Sequence, residues 1–125
     1  MSVTVTPSSA VEDPPESETG ECVAGLACSL IDRERAELMA SRLKAIADPT
    51  RLQLLRLIQL APEGEACVCD LTDCLGLRQP TVSHHLKIMT GAGLLRRERR
   101  GTWSYFSVDP EGLRAVRDLL DHPVG

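Results

Sequence analysis

The stretch that decides the fold is QPTVSHHLKIM, which spans Gln79–Met89. Three of its large apolar residues, Val82, Leu86 and Met89, recur at the spacing of one helical face. At 100° per residue the other face is polar, and its side chains are those of Gln79, Thr81, Ser83, His84 and Lys87. The pattern predicts a helix that buries one face and offers the other, with its hydrogen-bonding groups, to base edges and phosphates.

A second, shorter helix is predicted just before this one. It covers about Ala66–Leu75 and stops at Gly76, only a few residues before Gln79. Two helices joined by so short a glycine-containing turn form a helix-turn-helix. The longer helix is expected to end at Gly91 or Gly93.

Two further helices are predicted upstream and one downstream. The first lies within residues 31–47, the second begins at an Asp48 N-cap with Pro49 in its first turn, and the last covers Pro110–Leu120. The second helix is expected to bury Leu52, Leu55 and Ile58. The first places Met39, Leu43, Ile46 and Ala47 on one face, and the last does so with Leu113, Val116 and Leu120, although this last helix has no obvious place in the core of a monomer.

A β-hairpin is predicted between the helix-turn-helix and the last helix. Its strands are Leu94–Arg99 and Trp103–Val108, with the bend at Arg100 and Gly101. The order α-α-α-α-β-β-α, mainly α with a β-hairpin wing, is a winged helix-turn-helix. We expect it to span residues 31–122.

The net charge of −4 conceals two segments of opposite sign. Residues 1–21 carry five acidic residues, no Lys or Arg, and many Ser, Thr and Pro, a composition typical of disorder. Between Arg78 and Val108, the charged residues are Arg78, Lys87, Arg96, Arg97, Arg99 and Arg100, against Glu98 alone. Because a phosphate backbone meets the local field, Arg97, Arg99 and Arg100 of the wing are predicted to contact DNA.

The chain has five cysteines, two of them at the start of the short helix. There the helix dipole favours the thiolates of Cys67 and Cys69, the form that binds metal ions. On a helix two such residues point about 200° apart, so both can reach one ion only at the helix edge, and position 67 meets that condition.

Two thiolates do not complete a site for a thiophilic ion. A trigonal arsenite site needs three, and a tetrahedral Cd²⁺, Pb²⁺ or Zn²⁺ site usually needs four. Cys22 and Cys28 can supply them from residues 1–30, which we predict to be a flexible acidic arm that becomes ordered when the ion binds. Cys74 lies about 10.5 Å along the helix axis from Cys67, too far to share its ion, and is expected in the core.

Four segments together resemble the ArsR/SmtB family of metal-sensing repressors. They are Cys67–Leu71, Leu75–Leu77, Gln79–Lys87 and Gly93–Leu95, and the resemblance covers roughly residues 39–120. It implies a winged-helix homodimer whose first and last helices form the interface. It also implies a cysteine site on the short helix completed by the arm, hence Cys22, Cys67 and Cys69, with Cys28 as a further candidate.

At several positions this sequence departs from family patterns. Thr72 stands where some arsenic sensors carry a third cysteine, so that version of the site is absent. Arg78 replaces a capping Ser, which exchanges the cap for an expected phosphate contact. The family's second zinc site maps onto Asp109, Glu111, His122 and Gly125, with one ligand exchanged and one missing, so a working zinc site is not expected there.

The expected function is that of a metalloregulatory repressor. The metal-free homodimer binds double-stranded operator DNA with half-sites about one helical turn apart, and As(III), or alternatively Cd(II), Pb(II) or Zn(II), releases it. The ion acts as inducer, and no permanent cofactor is expected. The resemblance implies control of efflux or detoxification genes.

Two alternatives stay open on the sequence alone. The thiols could form a redox or persulfide switch on the same DNA-binding fold. A thiol oxidoreductase is the other, but a Cys-x-Cys pair without a βαβ context argues against an enzyme. With neither a signal peptide nor a long apolar run, we expect a cytoplasmic protein with no membrane partner.

Overall fold

In the computed structural model, residues 31–121 are described. The predicted arm, with Cys22 and Cys28, lies outside the described residues, as does His122. The described elements are α1 (Arg33–Ile46), α2 (Pro49–Leu60), a 3₁₀ turn (Pro62–Gly64), β1 (Glu65–Cys67), α3 (Val68–Leu75), α4 (Gln79–Gly91), β2 (Leu95–Arg100), β3 (Trp103–Val108) and α5 (Pro110–Leu120). This is the predicted winged helix-turn-helix with one additional strand.

The additional strand, β1, changes the predicted two-stranded wing and the predicted start of the short helix. The three strands are antiparallel in the order β1-β3-β2, so the wing is the outer part of a three-stranded sheet. The predicted helix from Ala66 begins only at Val68, because Ala66 and Cys67 pair with Phe106 and Tyr105. A strand of three residues is too short to show an alternating pattern, and here pairing with β3 overrides local propensity.

The helix boundaries follow their capping residues. The Asp48 carboxylate accepts a hydrogen bond from the Arg51 backbone N–H at 3.1 Å, and Pro49 opens α2, as predicted. Helix α3 ends where Gly76 takes the left-handed conformation at φ 68°, which glycine adopts without steric cost. Arg78 precedes α4 without a side-chain cap, again as predicted.

The core lies between the helices and the inner face of the sheet. Its fully buried side chains are Leu54, Ile58, Leu71, Val82, Leu86, Met89 and Leu94. The prediction for Leu52 was wrong, since it is 51% exposed while Leu54 is buried. The apolar residues of α2 itself lie on all sides of the helix, so their spacing did not identify the buried face. Ala47 is also exposed, beyond the end of α1.

Helix α5 packs against α1 and against the turn that leads into the wing. A Cβ on Gly112 would overlap the carbonyl oxygen of Gly93, so only glycine permits this close approach. Val116 is buried within the chain, whereas Leu120, on the same predicted face, is 66% exposed. Across residues 31–121, none of the helices is long and apolar enough to span a lipid bilayer.

Candidate DNA-binding surface and thiol site

Helix α4 presents one polar face to solvent. The side chains predicted there are all exposed, and they are Gln79, Thr81, Ser83, His84 and Lys87. His85 differs from its neighbour His84. It is half-buried, and its Nδ1 accepts a hydrogen bond from Arg51 Nε at 3.2 Å, in agreement with the predicted packing role.

A groove of about 660 Å³ separates this face from the wing. Helix α4 contributes Gln79, Ser83 and Lys87 to its walls, and the wing contributes Arg97, Thr102, Trp103 and Ser104. Arg97 Nε donates to Ser104 Oγ at 3.2 Å, so these two groove residues of the wing are bonded to each other. Sequence reasoning missed Thr102, Trp103 and Ser104, and the available signal was the single tryptophan of the chain directly after the bend at Gly101.

The wing arginines lie on two faces of the sheet. Arg97 and Arg99 pair with Phe106 and Ser104 in the register, so their side chains leave the face that turns toward α4. Arg96 and Arg100 leave the opposite face. There Arg96 Nη2 lies 3.7 Å from an Asp109 carboxylate oxygen.

Arg100 is held by two carboxylates. Its Nη1 and Nη2 donate to Glu65 at 2.9 and 2.7 Å, and Nη2 also donates to Glu98 at 2.8 Å. The guanidinium lies 4.5 Å from the centroid of the Tyr105 ring. The hydrogen bonds from Arg100 hold the pKa of Glu65 below its usual value and in turn raise the pKa of Arg100. A contact between Arg100 and DNA remains a prediction, and its side chain is still 43% exposed beside these bonds.

Cys67 and Cys69 come together where β1 meets α3. Cys67 is the last residue of β1 and the N-cap of α3, with extended backbone at φ −90° and ψ 165°. This edge position brings the two Sγ atoms to 2.6 Å, so the predicted pairing of the thiols is present. Cys67 is buried and Cys69 is exposed, which leaves one side of the pair open to a third ligand.

Asp70 adds an oxygen donor that sequence reasoning missed. Among residues 31–121, Cys67, Cys69 and Asp70 form the group whose ligand atoms all lie within 4.8 Å of one another. Two ligands of one ion, each about 2.3 Å from it, are at most about 4.6 Å apart, so the group is close to the size of a single-ion site. The signal was the acid directly after the second cysteine.

The hydrogen bond with Cys67 is the main cause that raises the pKa of the Cys69 thiol. Burial and the nearby charges of Cys67 and Asp70 act in the same direction. The raised pKa goes against the expectation that the start of the helix favours the Cys69 thiolate, because the hydrogen bond between the sulfurs stabilises the protonated form, whereas the Asp70 backbone N–H acts in the opposite direction. An ion that binds both sulfurs has to displace their protons.

Two other residues of α3 stay outside the thiol pair. Cys74 is exposed, so its predicted place in the core was wrong. The buried face of α3 is centred on Leu71, with Val68 and Leu75 beside it, and Cys74 projects from the flank. Thr72 Oγ1 donates to the carbonyl oxygen of Val68 at 2.8 Å and is not directed at the thiols.

Two positions of the family's second zinc site, Asp109 and Glu111, lie within the described residues, at the start of α5. The Asp109 carboxylate caps α5 by accepting from the N–H groups of Glu111 and Gly112 at 3.1 and 3.3 Å. Glu111 is exposed in the first turn of the same helix. The capping role accounts for Asp109 without a metal ion.

Comparisons with known proteins agree with this architecture. Residues 48–97 match the family described as bacterial regulatory protein, arsR family. The chain is 38% identical to the arsenical resistance operon repressor of Bacillus subtilis over 89 residues, 69% of this chain and 83% of that protein. It is 33% identical to a Staphylococcus aureus protein named cadmium resistance transcriptional regulatory protein CadC homolog, over 62% of this chain and 63% of that protein.

A solved structure shows the same fold as a dimer. It is the homodimeric winged helix-turn-helix DNA-binding domain of a Mycobacterium bovis protein, with a TM-score of 0.59 and 28% identity. The similarity covers 78% of this chain and 86% of that one.

Proposed function

The chain belongs to the arsR family of bacterial regulatory proteins, and we propose that it represses transcription until a thiophilic ion, As(III) in the first place, binds Cys67 and Cys69. Its relatives are DNA-binding transcriptional regulators rather than enzymes, and some are named for arsenic or cadmium resistance. The observation that carries the proposal is the contact between the two thiols at the start of the helix-turn-helix.

The ion site is proposed to consist of the thiol pair and a ligand from the arm. Pyramidal arsenite requires three thiolates, and Cys22 is the proposed third. A fourth thiolate from Cys28 would suit Cd(II), Pb(II) or Zn(II) instead. Asp70 lies close enough to the pair to serve such an ion as an oxygen ligand, whereas arsenite is better served by sulfur.

The operator is proposed to lie across α4 and the groove beside the wing. Gln79, Thr81, Ser83 and His84 would face base edges in the major groove. The cations Lys87, Arg97 and Arg99 would hold phosphates, with Arg100 as a further predicted contact. The groove supports this arrangement, because both Lys87 of α4 and Arg97 of the wing line it.

The active species is proposed to be a homodimer that binds two half-sites about one helical turn apart. Its interface would form where α1 and α5 pack together. Leu38, Leu119 and Leu120 leave apolar surface there, being 44%, 41% and 66% exposed. The homodimeric Mycobacterium bovis relative supports this assignment.

Ultraviolet absorbance of the sulfur-to-ion bonds tests the proposed ligands. Full-length protein would be titrated with arsenite, Cd²⁺, Pb²⁺ and Zn²⁺, alongside Cys22→Ser, Cys28→Ser, Cys67→Ser and Cys69→Ser. Cys74→Ser is the matched control, since this thiol is free and exposed on the same helix. Arsenite should bind one per chain and lose most of its absorbance in the variants at 22, 67 and 69. Loss of binding in Cys74→Ser alone would refute the site.

A thiol switch is the second candidate, and the same sulfur contact favours it. Peroxide would oxidise the two thiols to a disulfide, with release of two protons and transfer of two electrons to the peroxide. Mass spectrometry separates the two functions. If arsenite releases DNA while every thiol remains reduced, the redox switch is excluded as the inducing event.

A further inference from the structure

Strand β1 connects the thiol pair to the wing. Glu65 and Cys67 are two residues apart on this strand, so their side chains leave the same face of the sheet. The register places Tyr105 opposite Cys67, with the Arg100 guanidinium over its ring. Arg100 then returns to Glu65 through two hydrogen bonds. These contacts therefore connect Cys67 and Glu65, both on β1, through Tyr105 and Arg100 of the wing.

The two carboxylates that hold Arg100 are not equivalent. Glu98 lies on β2, the same strand as Arg100, so that ion pair stays within the wing. Glu65 lies on β1, so its pair crosses the sheet. The Glu65 side chain is 23% exposed against 64% for Glu98, and its bond is bidentate, which makes it the more firmly held of the two.

We infer that Glu65 is a positioning residue for operator release, because it ties the wing, through Arg100, to the strand that moves when an ion binds Cys67. The inference rests on the proposed function, and deepens it by naming the route from the ion to the DNA-binding surface. Arg100 acts here as a link within the protein, in addition to the DNA contact that is predicted for it.

The thiol geometry gives a physical reason for movement. The two thiols contact each other, and an ion that binds both has to replace their protons and fix the directions of both side chains. Cys67 is the terminal residue of a three-residue strand and the N-cap of α3, so this requirement acts at the end of β1. A shift of β1 moves Glu65, and its bidentate pair passes the displacement to the β2 end of the wing.

Trp103 provides a reporter at the right place. It is the single tryptophan of the chain and pairs with Arg100 in the β2–β3 register. Arsenite would be titrated into the full-length wild type, Glu65→Gln and the matched control Glu98→Gln, with Trp103 emission followed without DNA. The sulfur–arsenic absorbance would be read in the same samples. Operator release would be measured on a duplex selected from a random library with ion-free protein.

We expect Glu65→Gln to retain arsenite binding but to lose most of the change in Trp103 emission and in operator affinity. Glu65→Gln should bind arsenite within about twofold of wild type but lose at least half of the Trp103 change, and its ratio of ion-free to ion-bound operator affinity should fall about fivefold or more. Glu98→Gln should keep both responses. Arg100→Gln should reproduce the Glu65→Gln result, and the double variant should lose no more than either single one.

The contrary outcomes are distinct. If the wild type binds arsenite and releases the operator, but Glu65→Gln does the same to the same extent, the positioning role is overturned and the proposed function stands. An equal loss in Glu98→Gln also overturns it. If the wild type binds no ion, the proposed function fails, and the inference with it.

Discussion

Two adjacent histidines show how position on one helix separates a packing role from a DNA-binding role. His84 is exposed on the polar face of α4, whereas His85 is half-buried and bonded to Arg51. We predict that His85→Ala lowers the free energy of unfolding by about 1 kcal/mol, because a hydrogen bond and its packing are lost. His84→Ala should leave stability unchanged and weaken operator binding about tenfold.

Thermal unfolding and fluorescence anisotropy on the selected duplex measure the two effects. Each variant serves as the control for the other, since both remove an imidazole from α4. The assignment of the two faces would be contradicted if His85→Ala weakened DNA binding at full stability, or if His84→Ala destabilised the fold.

Glu65 also gives the protein a pH-dependent contribution to stability. Its pKa is lowered mainly by hydrogen bonds from Arg100. A lowered carboxyl pKa stabilises the folded state above the ordinary value of about 4.3, and this contribution is lost as the pH falls through the folded-state pKa. The difference in Tm between wild type and Glu65→Gln should therefore be largest near neutral pH and disappear in acid.

Thermal melts between about pH 7 and pH 3 check this prediction. Arg100→Gln removes the other partner and should show the same reduced pH dependence. A difference that grows as the solution is acidified would mean that the Glu65–Arg100 bond does not stabilise the folded chain.

Helix α4 begins without a side-chain cap. Arg78 occupies the N-cap position, and no side chain accepts the hydrogen bonds of the first turn. A serine there could accept one, so Arg78→Ser should stabilise the protein by about 1 kcal/mol. The same change removes a cation beside the operator, so binding should weaken and its salt slope should fall by about 0.9.

Denaturant unfolding and binding at several salt concentrations measure the two halves of this prediction. Arg78→Ala is the matched control, because it removes the cation without supplying a cap. It should weaken DNA binding equally without the gain in stability. If Arg78→Ser leaves the salt slope unchanged, the exchange of cap for phosphate contact is wrong.

Some helices and strands could be predicted from the sequence and others could not. Helix α4 and the ends of α2 and α5 could be predicted because a clear apolar stripe, an N-cap and glycines act locally. Strand β1 and the buried face of α2 could not, since they depend on what packs against them. Asp70 joined the site only through the bend at Cys67, where extended backbone turns into a helix.

For the whole molecule, the exposed leucines of α1 and α5 predict the state of assembly. Leu38→Glu and Leu120→Glu should shift the protein from dimer to monomer, because a charge would be buried in the proposed interface. Leu60→Glu is the matched control, since Leu60 is 73% exposed on α2. Sedimentation equilibrium measures the outcome. A Leu60→Glu monomer alongside an intact Leu120→Glu dimer would place the interface elsewhere.

The bound fraction of operator duplex during an arsenite titration shows whether an ion at the Cys67–Cys69 pair releases DNA. Wild type and Cys74→Ser should lose affinity by about 5- to 150-fold, the usual range of allosteric coupling. Cys67→Ser and Cys69→Ser should bind the ion-free duplex normally and stay bound throughout. Full release in Cys67→Ser, or loss of the response in Cys74→Ser alone, would mean that the ion acts at another site.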